Sequence, residues 1–147
     1  MGEKSRVTVG CLVYLNDSNI ERRLDMCQSS LSSLNTLSAQ KQSKLVIINN
    51  GGPQIVNDLI CENVKCDFDL VNLNRNFFDI SVHMCSYWHA LKMGHDYFAY
   101  TYDDFIMYDT NWISDAIKFM DSSNNVACIR LPKYRFGDKS FNTNFTL

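Results

Sequence analysis

In the stretch YTYDDFIMYDTNW, from Tyr100 to Trp112, two carboxylates stand side by side between aromatic, strand-like runs. An unpaired buried charge is costly, so a strand core seldom carries two adjacent acids. Asp103 and Asp104 therefore mark either a solvated turn or a place where something positively charged sits beside them. Other chemistries find less footing. No Ser/His/Asp order, phosphate-binding glycine-rich loop or redox cysteine pair is present. His83 and His89 are six residues apart and do not share a helical face. With His95, they read as ordinary surface or half-buried histidines.

Composition narrows the classes. The chain has 147 residues, 46% hydrophobic and 20% charged, with a net charge of −2. One compact domain over 1–147 is the expectation, with 138–147 as a loosely held tail. No basic run or stripe is present, which argues against a nucleic-acid partner. No apolar run reaches the roughly 18 residues of a membrane span. The opening MGEKSRVTVG lacks the apolar centre of a secretion signal, and Arg6 stands where a myristoylation pattern needs Ser or Thr. A cytoplasmic protein is expected. The six cysteines do not have the spacing of a zinc site. They are read as reduced thiols, mostly small buried hydrophobes.

The elements that must position the acids alternate. RVTVGCLVYL and KLVIINNGGP read as buried strands ended by turn residues. Between them, Ile20, Leu24, Cys27, Leu31 and Leu34 fall at helical spacing behind a Ser/Asn cap. A short helix from Gln54 to about Cys61 leads to a third strand, DFDLVNL. Ile80, Met84, Trp88 and Leu91 mark the next helix, which Gly94 ends. YFAYTY is a fourth strand, Ile113 to Met120 a helix, and NVACIRL a fifth strand. Such an order calls for an α/β fold with a mainly parallel sheet covered on both faces. Ligands of open α/β sheets bind at the carboxyl ends of the strands. Those ends here are LNDSN, NNGGP, NRNFFD and YDDF.

The four ends, in order, resemble those of the GT-A glycosyltransferases, particularly the large inverting and processive group called family two. VYLN stands for that group's first strand end and IINNGG for its Asp-Asp/Asn-Gly-Ser. NFFD, after Asn74 and Arg75, takes the place of its Asn-x-Gly segment, with Phe78 where the Gly is expected. FAYTYDDFIMYDTNW stands for its acidic pair, apolar run and Trp. The resemblance extends from about Val7 to Leu131. It implies a three-layer, Rossmann-like nucleotide-diphospho-sugar transferase fold.

It also implies transfer of a sugar from a nucleotide-diphosphate donor to an unidentified glycan, lipid or protein acceptor. Magnesium or manganese would neutralise the departing pyrophosphate. By the family pattern Asp104 is the direct metal ligand, with Asp103 beside it facing sugar or ribose hydroxyls. Tyr14 and Asn16 would border the base and ribose. Asn49 and Asn50 replace a position where the group often has an Asp that reads uracil; an amide can still pair with a base edge. Asn76 and Asp79 would help hold the sugar nucleotide. Asp79 could equally be a helix cap, the pair Gly51 and Gly52 a plain turn, and Arg75 a surface cation.

A complete GT-A domain continues beyond a fifth strand and supplies the base that deprotonates the acceptor. After Arg130 the only acid is Asp138, so no general base is assigned and the donor-binding half is the part expected here. Two readings follow: a small metal-dependent glycosyltransferase, or a non-catalytic or truncated nucleotide-sugar-binding domain of the same fold. A nucleotidyltransferase would need a basic phosphate loop early in the chain, and VYLNDSN is not one.

Overall fold

The computed structural model of the chain describes residues 6–109, 111–123 and 128. Four strands alternate with four helices: β1 (Val7–Val13), α1 (Ile20–Ser33), β2 (Ser43–Asn50), α2 (Gln54–Asn63), β3 (Phe68–Leu73), α3 (Ile80–Met93), β4 (Tyr97–Tyr102) and α4 (Asn111–Ser122). A 3₁₀ segment, Leu34–Ala39, extends α1. The sheet order is β3-β2-β1-β4, and every pairing is parallel. The expected fifth strand and the 138–147 tail lie outside the described residues.

β1 is buried along its whole length, as a central strand covered on both faces must be. Alternate residues divide between two apolar layers. On one face Val7, Val9, Cys11, Val13, Leu45 and Ile47 meet Cys27 and Leu31 of α1, Val56 and Ile60 of α2, and Ile113 and Ile117 of α4. On the other, Leu12, Val46 and Ile48 meet Val82 and Cys85 of α3. The result is a three-layer α/β sandwich with a Rossmann-like layout. No helix among the described residues is long and apolar enough to cross a membrane.

α3 forms where its periodicity places it, and Gly94 closes it in the left-handed region at φ 64. Its periodic apolar stripe is nevertheless the exposed one. Ile80, Met84, Trp88 and Leu91 face outward, while Ser81, Val82, Ser86 and Ala90 are buried. Small residues allow the helix to settle close to the sheet. A Cβ on Gly10 of β1 would lie 1.8 Å from Ser86 Oγ and 3.1 Å from Ser86 Cβ, so a side chain there would displace the Ser86 hydroxyl and crowd the helix.

The cysteines are all free thiols, but only Cys11 and Cys27 are buried. Burial pushes Cys27 up to about 12 and Cys11 in the same direction. Cys61 and Cys128 are exposed and Cys66 and Cys85 half-buried, so a mostly buried set was too simple. Cys61 falls on the outer side of α2, whose inward positions are Val56, Leu59 and Ile60.

Candidate functional site

The parallel register brings the carboxyl ends of all four strands to one edge. Leu12 lies beside both Ile48 and Tyr102, and Asn50 beside Leu73. Two glycines draw the loops after β1, β2 and β3 together there. Gly51 has φ 81, and a Cβ on it would lie 2.4 Å from the backbone of Arg75. A Cβ on Gly52 would lie 2.6 Å from the Leu15 carbonyl oxygen. The Gly-Gly pair is thus a junction between three strand ends as well as a turn.

The two acids take different roles at this edge. Asp103 is buried, with only 3% of its surface exposed. Its Oδ2 accepts the Tyr14 backbone N–H at 2.8 Å, and its Oδ1 accepts from the Arg23 guanidinium at 2.6 Å. Arg23 also donates to the Tyr14 carbonyl at 3.2 Å. Asp103 therefore ties β4 to the end of β1 and to α1. Burial pushes its carboxyl up to about 6, while the Tyr14 amide and the Arg23 guanidinium favour the charged form.

Asp104 is half-buried, and its Oδ1 is shut away from solvent without a hydrogen-bond partner. A buried acceptor left unsatisfied costs about 1–3 kcal/mol, more when charged. Such a group is explained by strain, by function, or by an ion or water that completes it. A hard carboxylate oxygen of this kind fits magnesium or manganese. No three His, Cys, Asp or Glu side chains converge among the described residues. A cation here would thus draw most of its shell from phosphate oxygens and water.

The Tyr102 phenol stands in the field of Asp104 and of Asp79. Burial raises its pKa first, and the charges on Asp79, Tyr100 and Asp104 add to that. This brings Asp79, at the start of α3, into the same electrostatic neighbourhood as Asp104. Asp79 makes no capping hydrogen bond to its helix, so its carboxylate is not committed to a cap.

The asparagines are mostly structural. Asn49 Oδ1 accepts the Gly52 N–H at 2.8 Å, while its Nδ2 donates to Asn57 at 2.8 Å and to the Gly52 carbonyl at 3.3 Å. Asn50 Oδ1 accepts from the Phe77 N–H and the Ser81 hydroxyl, and its Nδ2 donates to Asn76 Oδ1 at 2.8 Å. Asn16 folds the turn before α1: its Oδ1 accepts the Ser18 and Asn19 N–H groups, and its Nδ2 donates to the Tyr14 hydroxyl at 3.0 Å. Tyr14, Asn16 and Asp103 thus form one linked group, and Asn50 with Asn76 another. Asn49 belongs to the Gly-Gly junction.

Phe78 has φ 56 and is 76% exposed. A bulky side chain in the left-handed region is a strained outlier. The backbone here holds a glycine's conformation although the residue is not glycine. Arg75 lies over the Phe77 ring at 4.8 Å, a cation–π contact. His95 shares a hydrogen bond with Thr8, His89 with the Cys85 carbonyl, and His83 packs on Tyr100 at 4.0 Å. All three sit in structural settings. A separate hollow lined by Leu37, Lys44, Cys66 and Asp67 opens at the amino edge of β2 and β3, opposite the acids.

Arg23, Tyr102 and Ser81 are the residues that sequence reasoning missed. Arg23 sits in the run ERRLD, which looks like a solvated helix face. Its only signal was the requirement that a buried acid find a cation.

No protein-family model matches the chain, and no curated protein or solved structure matches it either.

Proposed function

We propose that the chain binds a nucleotide-diphosphate sugar, together with a divalent metal, at the carboxyl edge of the sheet, and serves as the donor half of a GT-A type glycosyltransferase. The observation that carries the reading is the buried, unsatisfied Oδ1 of Asp104 at the end of β4. Asp104 is the protein's ligand to magnesium or manganese, which when bound neutralises charge on the pyrophosphate leaving group. Asp103, bonded to Arg23 and the Tyr14 amide, positions the turn that carries Asp104. Asp79 and Tyr102, whose phenol feels the charges of both Asp79 and Asp104, are assigned to the donor hydroxyls.

A second reading, binding without transfer, is favoured by how many polar groups are already spent. Asn49, Asn50 and Asp103 satisfy internal partners, which leaves few side chains for chemistry at an acceptor. Thermal unfolding with uridine or guanosine diphosphate, with and without manganese, tests the shared premise. A ligand that binds only the folded form raises the midpoint. The expected result is a larger rise with nucleotide and manganese together than with either alone. No rise at millimolar ligand with metal present removes the proposal. Sugar release from a bound nucleotide sugar then separates transfer from binding.

A further inference from the structure

Phe78 ends the loop after β3 in a conformation that folding alone does not explain. Its backbone stands at φ 56, in the left-handed region where a bulky side chain is strained. Its ring is 76% exposed, so little apolar burial offsets that strain. The conformation is nevertheless fixed from both sides. The Phe78 N–H donates to Asn76 Oδ1 at 2.7 Å, and its carbonyl accepts from the Ser81 hydroxyl at 2.7 Å and from the Asn50 amide at 3.4 Å. A strained, firmly held residue with a mostly exposed side chain has the character of a ligand clamp, set in place before its partner arrives. The loop also crosses the right edge of the sheet. The Arg75 backbone lies against Gly51 at the end of β2, and the Phe77 N–H donates to Asn50. Asp79, the next residue, shares its electrostatic neighbourhood with Tyr102 and Asp104 at the end of β4. Phe78 therefore lies on the stretch of loop that runs from the β2 end toward the β4 end. In the order β3-β2-β1-β4 the chain turns back between β1 and β4, and open α/β sheets bind ligands where their order reverses.

Resting on the donor-site reading above, we propose that Phe78 is the stacking surface for the donor's nucleobase, which it holds by the face without reading the edge. Chemistry selects the base among the parts of a nucleotide-diphosphate sugar. A phenyl ring has no hydrogen-bonding group for pyrophosphate or for hydroxyls, and the base is the donor's one aromatic face. Asp104, with its open Oδ1, serves the charged end. The amides at the end of β2 that could read a base edge already serve the protein. Asn49 bonds to Gly52 and Asn57, and Asn50 to Asn76, Phe77 and Ser81. Every base has a π-face, so recognition by stacking tolerates all of them. The site is therefore expected to take uridine, guanosine and adenosine diphosphates with similar affinity.

Calorimetric titration with manganese present tests the proposal, with inorganic pyrophosphate and the three nucleoside diphosphates as probes. The proteins are the parent, Phe78→Gly, Phe78→Leu and Phe78→Tyr. Phe78→Gly should lose about tenfold or more in affinity for each nucleotide and keep its pyrophosphate affinity, while its thermal midpoint holds or rises. Phe78→Leu keeps an apolar side chain without the ring and should weaken nucleotide binding in the same way. Phe78→Tyr keeps the ring and should bind as the parent does. A purely structural role would instead move stability and both kinds of ligand together, and that outcome overturns the proposal. Equal nucleotide affinity in the parent, Phe78→Gly and Phe78→Leu overturns stacking and leaves the metal site at Asp104 standing. So does a preference of about a hundredfold for one base, because its edge would then be read. A parent that binds neither pyrophosphate nor nucleotide overturns the donor reading and this inference with it.

Discussion

At the carboxyl edge, the ends of β1 and β4 are joined by charge, whereas the ends of β2 and β3 are joined by amides. On the first side Asp103, Arg23 and the Tyr14 backbone lock together, and Asp104 beside them keeps a buried oxygen without a partner. On the second, Asn49, Asn50 and Asn76 bond to nearby backbone and to other amide side chains, and the residual cost sits in the Phe78 backbone. Both sides use polar residues, yet only the charged side has one left over. Among the described residues the other buried side-chain atom without a partner is Ser86 Oγ, packed against Gly10 away from this edge. Asp104 is set apart by carrying its open oxygen at the strand ends.

The largest expected effect comes from removing the cation that balances Asp103. Arg23→Met leaves a buried carboxylate unpaired and should cost about 3 kcal/mol at neutral pH, read from urea denaturation. The loss should shrink as pH falls toward about 6, because without Arg23 the carboxyl is pushed up further and takes its proton at a higher pH than in the parent. The parent follows the same sign. Folding raises the Asp103 pKa from 3.8 to about 6, so the folded form holds the proton more tightly. Its contribution to stability is therefore full below 3.8 and is lost as pH rises to about 6. Asp103→Asn should flatten that part of the profile of stability against pH; an unchanged slope would show that another group sets it.

On the amide side the effects should be smaller. Asn50→Ala strands the Phe77 N–H and leaves Asn76 and Ser81 without a shared partner, a loss of about 2 kcal/mol in the same denaturation experiment. Phe78→Gly should go the other way. It removes left-handed strain from a side chain that buries little, and a gain of up to about 1 kcal/mol is expected. A loss of stability instead would mean that the exposed ring makes contacts that stabilise the fold.

Much of the architecture was legible because hydrophobic period and turn residues are local signals. VTVGCLV and SKLVIINN became β1 and β2, and Gly94 ended α3 as its position suggested. Which face of α3 is buried was not legible. The apolar stripe at Ile80, Met84, Trp88 and Leu91 dominates the pattern, but the Gly10–Ser86 contact decides the packing, and it depends on residues far apart in sequence. The two acids stood out as a pair, and their division of labour did not. Arg23 pairs with Asp103 across eighty positions, and no spacing rule reaches that far. Asn49 and Asn50 read as groups for a base edge because the sequence does not reveal that Asn57, Gly52, Asn76 and Phe77 already engage them.

The central claim is that Asp104 holds a divalent ion for a nucleotide diphosphate, and calorimetric titration tests it most directly. Nucleotide diphosphate is titrated into the parent and into Asp104→Asn, each with and without manganese. The substitution keeps the side chain's size and removes an unpartnered buried charge, so folding should survive and stability should hold or rise. The parent should bind more tightly with manganese, and the variant should lose at least tenfold of that affinity, about 1.4 kcal/mol. Equal manganese-dependent binding by the two proteins would contradict the assignment of Asp104 as the metal ligand.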